Sequence, residues 1–305
     1  MLKNVLQKTL GITPSERVLI ITDSKKFRLA EKFYKASFAL SKNTKIIKKP
    51  IGKRNGEEPS KHVADMMKES DVIIALTSHS LTHTDAVRRA WKNGSRIASM
   101  PGFTDDMIHA LTVDPETLLK TGRTIYKYMR KTNKVHIKTP NGTDITFSIK
   151  NRNVEIDSGY LNKAGSLGNL PAGEVGVAPV EGTANGTIVI DSMEDYAKSG
   201  TIVKIRNGNA FYISDNKCKL AKIFKVVKSS KNVAEFGIGT NPNAKLIGKI
   251  LVDEKIAGTC HIAFGNNINY GGKINSKFHS DAILMKPAIV FDERLVMKNG
   301  RLLLV

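Results

Sequence analysis

Between Arg17 and Met100, short apolar runs alternate with amphipathic stretches, and this alternation constrains the fold more than any other feature of the chain. Arg17 to Thr22 is an apolar run ending in Asp23, and Lys25 to Leu40 carries Phe27, Ala30, Phe33, Tyr34 and Phe38 at helical spacing. The pair reads as a strand followed by a helix. Further strands are predicted at Lys45 to Lys48, Asp71 to Leu76 and Arg96 to Met100, with helices at His62 to Lys68 and Asp85 to Lys92. Parallel strands need a crossover, and helices supply it, so the pattern implies a Rossmann-like α/β domain with a parallel sheet covered by helices. Pro101-Gly102 ends the series, and helical stretches at Asp105 to Ala110 and Pro115 to Lys131 follow, the second leading out of the domain.

From Lys134 the pattern changes to strands. Val135 to Thr139 and Asp144 to Ile149 flank Pro140-Asn141-Gly142, a hairpin signal because Asn and Gly tolerate positive φ. More strands are predicted at Gly186 to Ile190, Thr201 to Ile205, Asn209 to Ile213 and Leu284 to Phe291, with a last hairpin around Lys298-Asn299-Gly300. Asp253 to Ala263 reads as the principal helix. The chain is thus expected to be α/β: an N-terminal parallel-sheet α/β domain over 1–133, then a mixed, strand-rich α+β domain over 134–305 carrying a metal site.

At 305 residues and 41% hydrophobic, the chain can give each of two domains a core. Its apolar runs are too short to span a bilayer, and Met1 to Leu10 reads as an amphipathic helix rather than a signal peptide, so no membrane is expected. Two cysteines, Cys218 and Cys260, fit a reducing cytoplasm better than a disulfide framework. A formal charge of +20 raises nucleic acid as a partner, but the lysines and arginines are spread over both halves without a binding motif. A solvated basic surface follows, and no specific nucleic-acid role. Against it, Gly168 to Asp191 holds no Lys or Arg but contains Glu174, Glu181 and Asp191, an acidic island suited to a cation.

Zinc, manganese, cobalt and iron take imidazole and carboxylate ligands. His279-Ser280-Asp281 places one of each on the same face of a strand, although a surface pair would look the same. On a helix Glu254 and His261 would share a face two turns apart, or His261 would be a neutral core histidine. The glycine-rich segment Gly265 to Gly272 that follows permits close backbone approach to a ligand. Glu174 and Glu235 each sit among apolar and glycine residues, where a carboxylate needs either a metal or a salt bridge. His79 and His83 are four apart, among Ser80, Thr82 and Thr84, which look like capping residues, and a structural or interdomain role is expected for them.

Taken together, Gly168 to Val175 with Ala178-Pro179, Ala234 to Gly237, Asp253-Glu254 through His261 to Gly265, and Asn275-Ser276 with His279-Ser280-Asp281 resemble the aminopeptidase T family of metallo-aminopeptidases. The resemblance covers roughly residues 165 to 285, with only Thr77 to Thr84 in the first domain. It implies two co-catalytic ions of zinc, cobalt or manganese on Glu174, Glu235, His261, His279 and Asp281, with Glu254 a sixth ligand. Those ions would activate a water against the N-terminal bond of a peptide substrate, with Glu174 or Glu254 moving the proton. Members are commonly homodimers, and a homodimer is implied here. The chain departs from the family in being shorter, in an interval from Glu254 to His261 about two residues longer, and in its tyrosine, for which Tyr270 is the nearest catalytic candidate. The sequence also resembles the iron-dependent dioxygenases that open dihydroxypyridine rings. There His261, His279 and Asp281 would form a two-histidine, one-carboxylate Fe(II) site, with Glu174 as acid and base. A metal-dependent aminopeptidase is the first expectation, ring cleavage the alternative, and a binding protein that has lost its reaction the third.

Overall fold

The computed structural model describes residues 1–304, and the chain divides into two compact units, Met1–Thr117 with Ser158–Ala172, and Leu118–Asp157 with Gly173–Val305. In the first unit, helix α1 (Leu2–Leu10) precedes β1 (Val18–Thr22), α2 (Phe27–Phe38), β2 (Thr44–Lys48), α3 (Lys61–Lys68), β3 (Val72–Leu76), α4 (Asp85–Lys92) and β4 (Arg96–Ser99). Each of these follows the hydrophobic pattern to within two residues. Thr84 caps α4 through a bond from the Val87 amide at 3.2 Å, as expected of the residues around His83. A 3₁₀ segment at Asp105–Thr112 stands where a helix is predicted.

Helix α5 (Pro115–Met129) leads into the second unit, where β5 (Lys134–Lys138), β6 (Asp144–Ser148) and β7 (Val154–Asp157) follow. The chain then returns to the first unit, where β8 (Leu167–Asn169) pairs in parallel with β4. The parallel sheet therefore has the order β2-β1-β3-β4-β8. Every residue of β1 and β3 is buried, as in a sheet with both faces covered. A boundary near residue 133 lies inside the second unit, and the return through 158–172 has no signal in the hydrophobic pattern.

The rest of the second unit comprises β9 (Glu174–Val177), β10 (Asn185–Val189), β11 (Ile202–Arg206), β12 (Asn209–Ile213), α6 (Lys219–Val226), β13 (Val233–Gly239), α7 (Ile250–Asp253), β14 (Thr259–Gly265), β15 (His279–Met285), β16 (Ala288–Phe291), β17 (Arg294–Lys298) and β18 (Arg301–Leu302). They form an antiparallel sheet of eight strands, β12-β11-β10-β6-β5-β16-β17-β18, and one of five, β15-β14-β13-β9-β7. One core joins the two: Val135, Ile137, Ile145 and Phe147 from the larger sheet, Val175, Phe236, Ile262 and Leu284 from the smaller. Phe147 and Phe236 meet edge to face at 5.3 Å. Each such side chain contributes about 1.5–3 kcal/mol on burial, so one apolar face is enough to hold the smaller sheet. Its other face is free for polar residues.

Two sequence expectations need correction here. Asp253 to Ala263 is not a helix: α7 ends at Asp253, Gly258 takes φ 86°, and β14 begins at Thr259. Every residue of β14 is buried, so its alternation of Cys260, Ile262 and Phe264 with Thr259, His261 and Ala263 is masked by an almost unbroken apolar run. Leu284 to Phe291 is not one strand either. Lys286, at φ 50°, and Pro287 break it between β15 and β16, which lie in different sheets. The two hairpins stand where Asn-Gly predicts them, with Asn299 and Gly300 both at positive φ. Among the described residues no helix is long and apolar enough to cross a membrane.

Candidate metal centre

The register of the five-stranded sheet collects the polar residues. Gly237 lies opposite His261, Ala263 opposite Glu235 and Asp281, Gly265 opposite His279, and Glu174 opposite Gly239 and Asp157. Because side chains alternate along a strand, Asp157, Glu174, Glu235, His261, His279 and Asp281 share the face turned from the apolar core. His261 and Glu235 are buried at 1% and 2% exposure.

Glycine makes room for this cluster. A Cβ on Gly237 would stand 2.2 Å from Cε1 and Nε2 of His261, so the imidazole lies across a bare backbone. A Cβ on Gly239 would stand 2.1 Å from the Ile256 carbonyl, so the segment after α7 lies directly on β13. The Asn241 amide donates to the Lys255 carbonyl at 2.8 Å and the Ala257 amide to the Asn241 carbonyl at 3.0 Å. These contacts bring Glu254 and Lys255 to the polar face.

Lys255 is 1% exposed, and its ammonium lies 2.5 Å from Glu174 Oε1, 2.8 Å from Glu254 Oε1 and 3.3 Å from Asp157 Oδ2. Burial disfavours the charge, but Glu174, Glu254 and Asp157 outweigh it and keep the lysine protonated. Burial pushes the Glu174 carboxyl up to about 7, partly offset by Lys255 and reinforced by Glu254. Glu254 is likewise raised by burial to about 7, against the pull of Lys255.

The other end of the face is built on imidazoles. His279 Nε2 lies 3.2 Å from Glu235 Oε2 and 3.7 Å from Asp281 Oδ1, and these residues offer three ligand atoms within 4.8 Å of one another. His279 Nδ1 donates to the Asn266 carbonyl at 2.8 Å, which fixes the ring and turns Nε2 toward the carboxylates. His261 Nε2 lies 3.5 Å from Glu174 Oε2 and 3.9 Å from Glu235 Oε1. Burial opposes charge on both rings, yet the surrounding carboxylates raise His261 to about 9 and His279 to about 10. Glu235 shows the reciprocal effect: burial alone would raise it, and the two histidines hold it at about 2. Asp281 is raised by burial, with His279 and His261 opposing.

Tyr270, in a 3₁₀ turn at Ile268–Tyr270, stacks on His279 with ring centroids 5.1 Å apart and planes 13° from parallel. Glu181 pins its loop, accepting from the Lys273 amide at 2.7 Å and Asn267 Nδ2 at 2.9 Å and pairing with Arg152, which donates to the Gly271 carbonyl at 2.8 Å.

The structure thus brings together Glu174, Glu235, Glu254, His261, His279 and Asp281. Glu254 arrives from the end of α7 rather than from a helix shared with His261. Sequence reasoning missed Lys255 and Asp157. Lys255 is a lone cation between Glu254 and an apolar strand, and Asp157 ends the alternating strand Val154-Glu155-Ile156-Asp157, so each had a signal. His79 and His83 belong to the first unit, His79 half-buried and His83 exposed. The donors fit a divalent cation: imidazole nitrogens and carboxylate oxygens converge, and buried Glu174 Oε2 has no hydrogen-bond partner.

The NicX family profile, described as 2,5-dihydroxypyridine 5,6-dioxygenase, matches residues 3–304. Among solved structures, 2,5-dihydroxypyridine dioxygenase from Pseudomonas putida superposes with a TM-score of 0.82 at 15% identity, covering 99% of this chain and 95% of that one. AmpT from Thermus thermophilus superposes with a TM-score of 0.70 at 14% identity, covering 99% of this chain and 98% of that one. At such identities the likeness is one of fold. Comparison with curated protein sequences gave no match. The aminopeptidase T assignment expected from the sequence is not confirmed, because the family matched along the chain is the one described as a dihydroxypyridine dioxygenase and AmpT enters as a neighbour in fold. By that match over nearly its whole length, the chain belongs to the NicX family.

Proposed function

We propose that this protein is a ring-cleaving dioxygenase that acts on dihydroxypyridine-like aromatics and uses one divalent metal, Fe(II), held by His261, His279 and Asp281, with Glu235 between the two imidazoles. The observation that carries this reading is the asymmetry of the polar face. Glu235, His279 and Asp281 offer ligand atoms close to one another at one end, with His261 beside Glu235, while at the other Glu174, Glu254 and Asp157 already share the Lys255 ammonium, Glu174 alone reaching across to His261. One ion on two histidines and a carboxylate is a donor set suited to ferrous iron with open positions. The family profile, described as a dioxygenase, supports the reaction class.

Ferrous iron bound there would supply the electron exchange with dioxygen that carboxylates and imidazoles cannot. The chain's own residues do the rest. Glu174, with Oε1 anchored on Lys255 and Oε2 without a hydrogen-bond partner, is placed to take a proton from a ring hydroxyl and return it, and its pKa near 7 suits both directions. Tyr270 holds the His279 ring from one side, and the Asn266 carbonyl fixes it from its edge.

The test is oxygen uptake by protein reconstituted with ferrous iron, given 2,5-dihydroxypyridine and related aromatics, beside release of amino acids from unblocked peptides with zinc, cobalt or manganese. Uptake with ring opening and no peptide hydrolysis is expected. Peptide hydrolysis without oxygen uptake would restore the aminopeptidase reading.

A further inference from the structure

We propose that Lys255 sets the number of metal ions in this centre at one, its ammonium standing where a second divalent ion would otherwise be held by Glu174, Glu254 and Asp157. The inference rests on the one-metal reading above and deepens it. Three carboxylate oxygens surround Nζ at 2.5, 2.8 and 3.3 Å, and oxygen donors of this kind are what hard divalent ions take. An ammonium has three N–H donors, one for each of the three acids.

Glu174 ties this position to the other. Its Oε1 bonds Lys255 while its Oε2 faces His261 Nε2 at 3.5 Å, so a single carboxylate spans the ammonium and the imidazole end. A carboxylate bridging two cations is the arrangement of two-metal sites. Here the cation on Oε1 is covalently part of the chain, and Oε2 is left to carry the proton. Delivery of the ammonium is built into the backbone, through the close approach of residue 256 to Gly239 and the paired bonds between Asn241 and residues 255 and 257. Loss of Lys255 would leave Asp157, Glu174 and Glu254 without the cation they share, with their oxygens still gathered around one position. Lys255 is a positioning and specificity-determining residue: it keeps the centre from adopting the two-ion arrangement suited to activating water.

The experiment is a titration of the metal-free full-length chain with Mn2+, free ion being counted by electron paramagnetic resonance, for the parent, Lys255→Ala and Lys255→Met. The parent should saturate at one Mn2+ per chain and both variants at two, with a spin-coupled pair signal in the variants alone. A parent that binds two ions overturns the one-metal reading and this inference with it. A parent that binds one, with a folded variant that also binds one, overturns this inference and leaves that reading standing. Failure of both variants to fold even in millimolar Mn2+ also overturns it, because an ion at that position would satisfy the same carboxylates.

Discussion

The two ends of the polar face hold the same kinds of acid and treat them in opposite ways. At the Lys255 end, Glu174, Glu254 and Asp157 share a permanent cation carried on a segment laid against bare backbone at Gly239. At the His279 end, Glu235 and Asp281 face imidazoles, which can give up a proton to a metal, and the ring is backed by a loop that Glu181 ties down. A permanent ammonium neutralises acids for good, whereas an imidazole holds the place only until a stronger cation arrives. One sheet face can therefore keep one end for structure and the other for chemistry.

The sharpest way to break this contrast is at His279. Replacing it with Ala removes a proposed ligand that its neighbours hold in place, and should weaken Fe(II) binding by more than the roughly 10- to 100-fold that loss of an outer partner causes. Oxygen uptake should vanish. Calorimetric titration with metal checks this, and unchanged affinity would remove His279 from the centre.

Glu174 stands at the meeting of the two ends. Glu174→Gln keeps the shape but cannot carry the proton, so turnover should fall by about 10²–10⁴-fold while one ion per chain stays bound. Loss of the ion together with turnover would make Glu174 a ligand and dissolve the distinction between the ends. Metal analysis beside steady-state rates separates the two outcomes.

The smallest effect is expected at the loop behind His279. Glu181→Gln weakens the bonds from the Lys273 amide, Asn267 and Arg152, at a cost of about 1 kcal/mol because the amide that replaces the carboxylate can still accept. Amide hydrogen exchange should quicken at 267–273 and not in β13. Burial raises the Glu181 pKa, but the Lys273 amide, Asn267 and Arg152 bring it below its ordinary 4.5. A carboxyl lowered on folding stabilises above its unfolded pKa, so the protection should hold at neutral pH and fade as pH falls through the folded value. Protection that did not change with acid would free the loop from Glu181.

Much of the first unit was legible in the sequence, because a parallel sheet buried on both faces writes its strands as unbroken apolar runs with amphipathic helices between them. The smaller sheet of the second unit was not. Glu174–Val177 and Val233–Gly239 carry glycines and an acid where a strand pattern asks for β-branched residues, and Thr259–Gly265 looks helical because both its faces are buried. The site was legible in its parts, since an acid among glycines, or a histidine two residues from an aspartate, is costly to bury without a partner. Their grouping was not, because Glu174, Glu235 and His261 meet through strand register.

The sequence by itself determined the alternating α/β layout of the first unit, the Asn-Gly hairpins and the acids and histidines that needed partners, because these follow from local periodicity, backbone freedom and the cost of burying charge. Only the tertiary structure decided that His261 lies on a strand over Gly237, that Lys255 enters the cluster, and that the acids divide between an ammonium and two imidazoles. Those outcomes depend on which strands pair and in what register, and pairing between residues far apart in the chain leaves no mark in either segment alone.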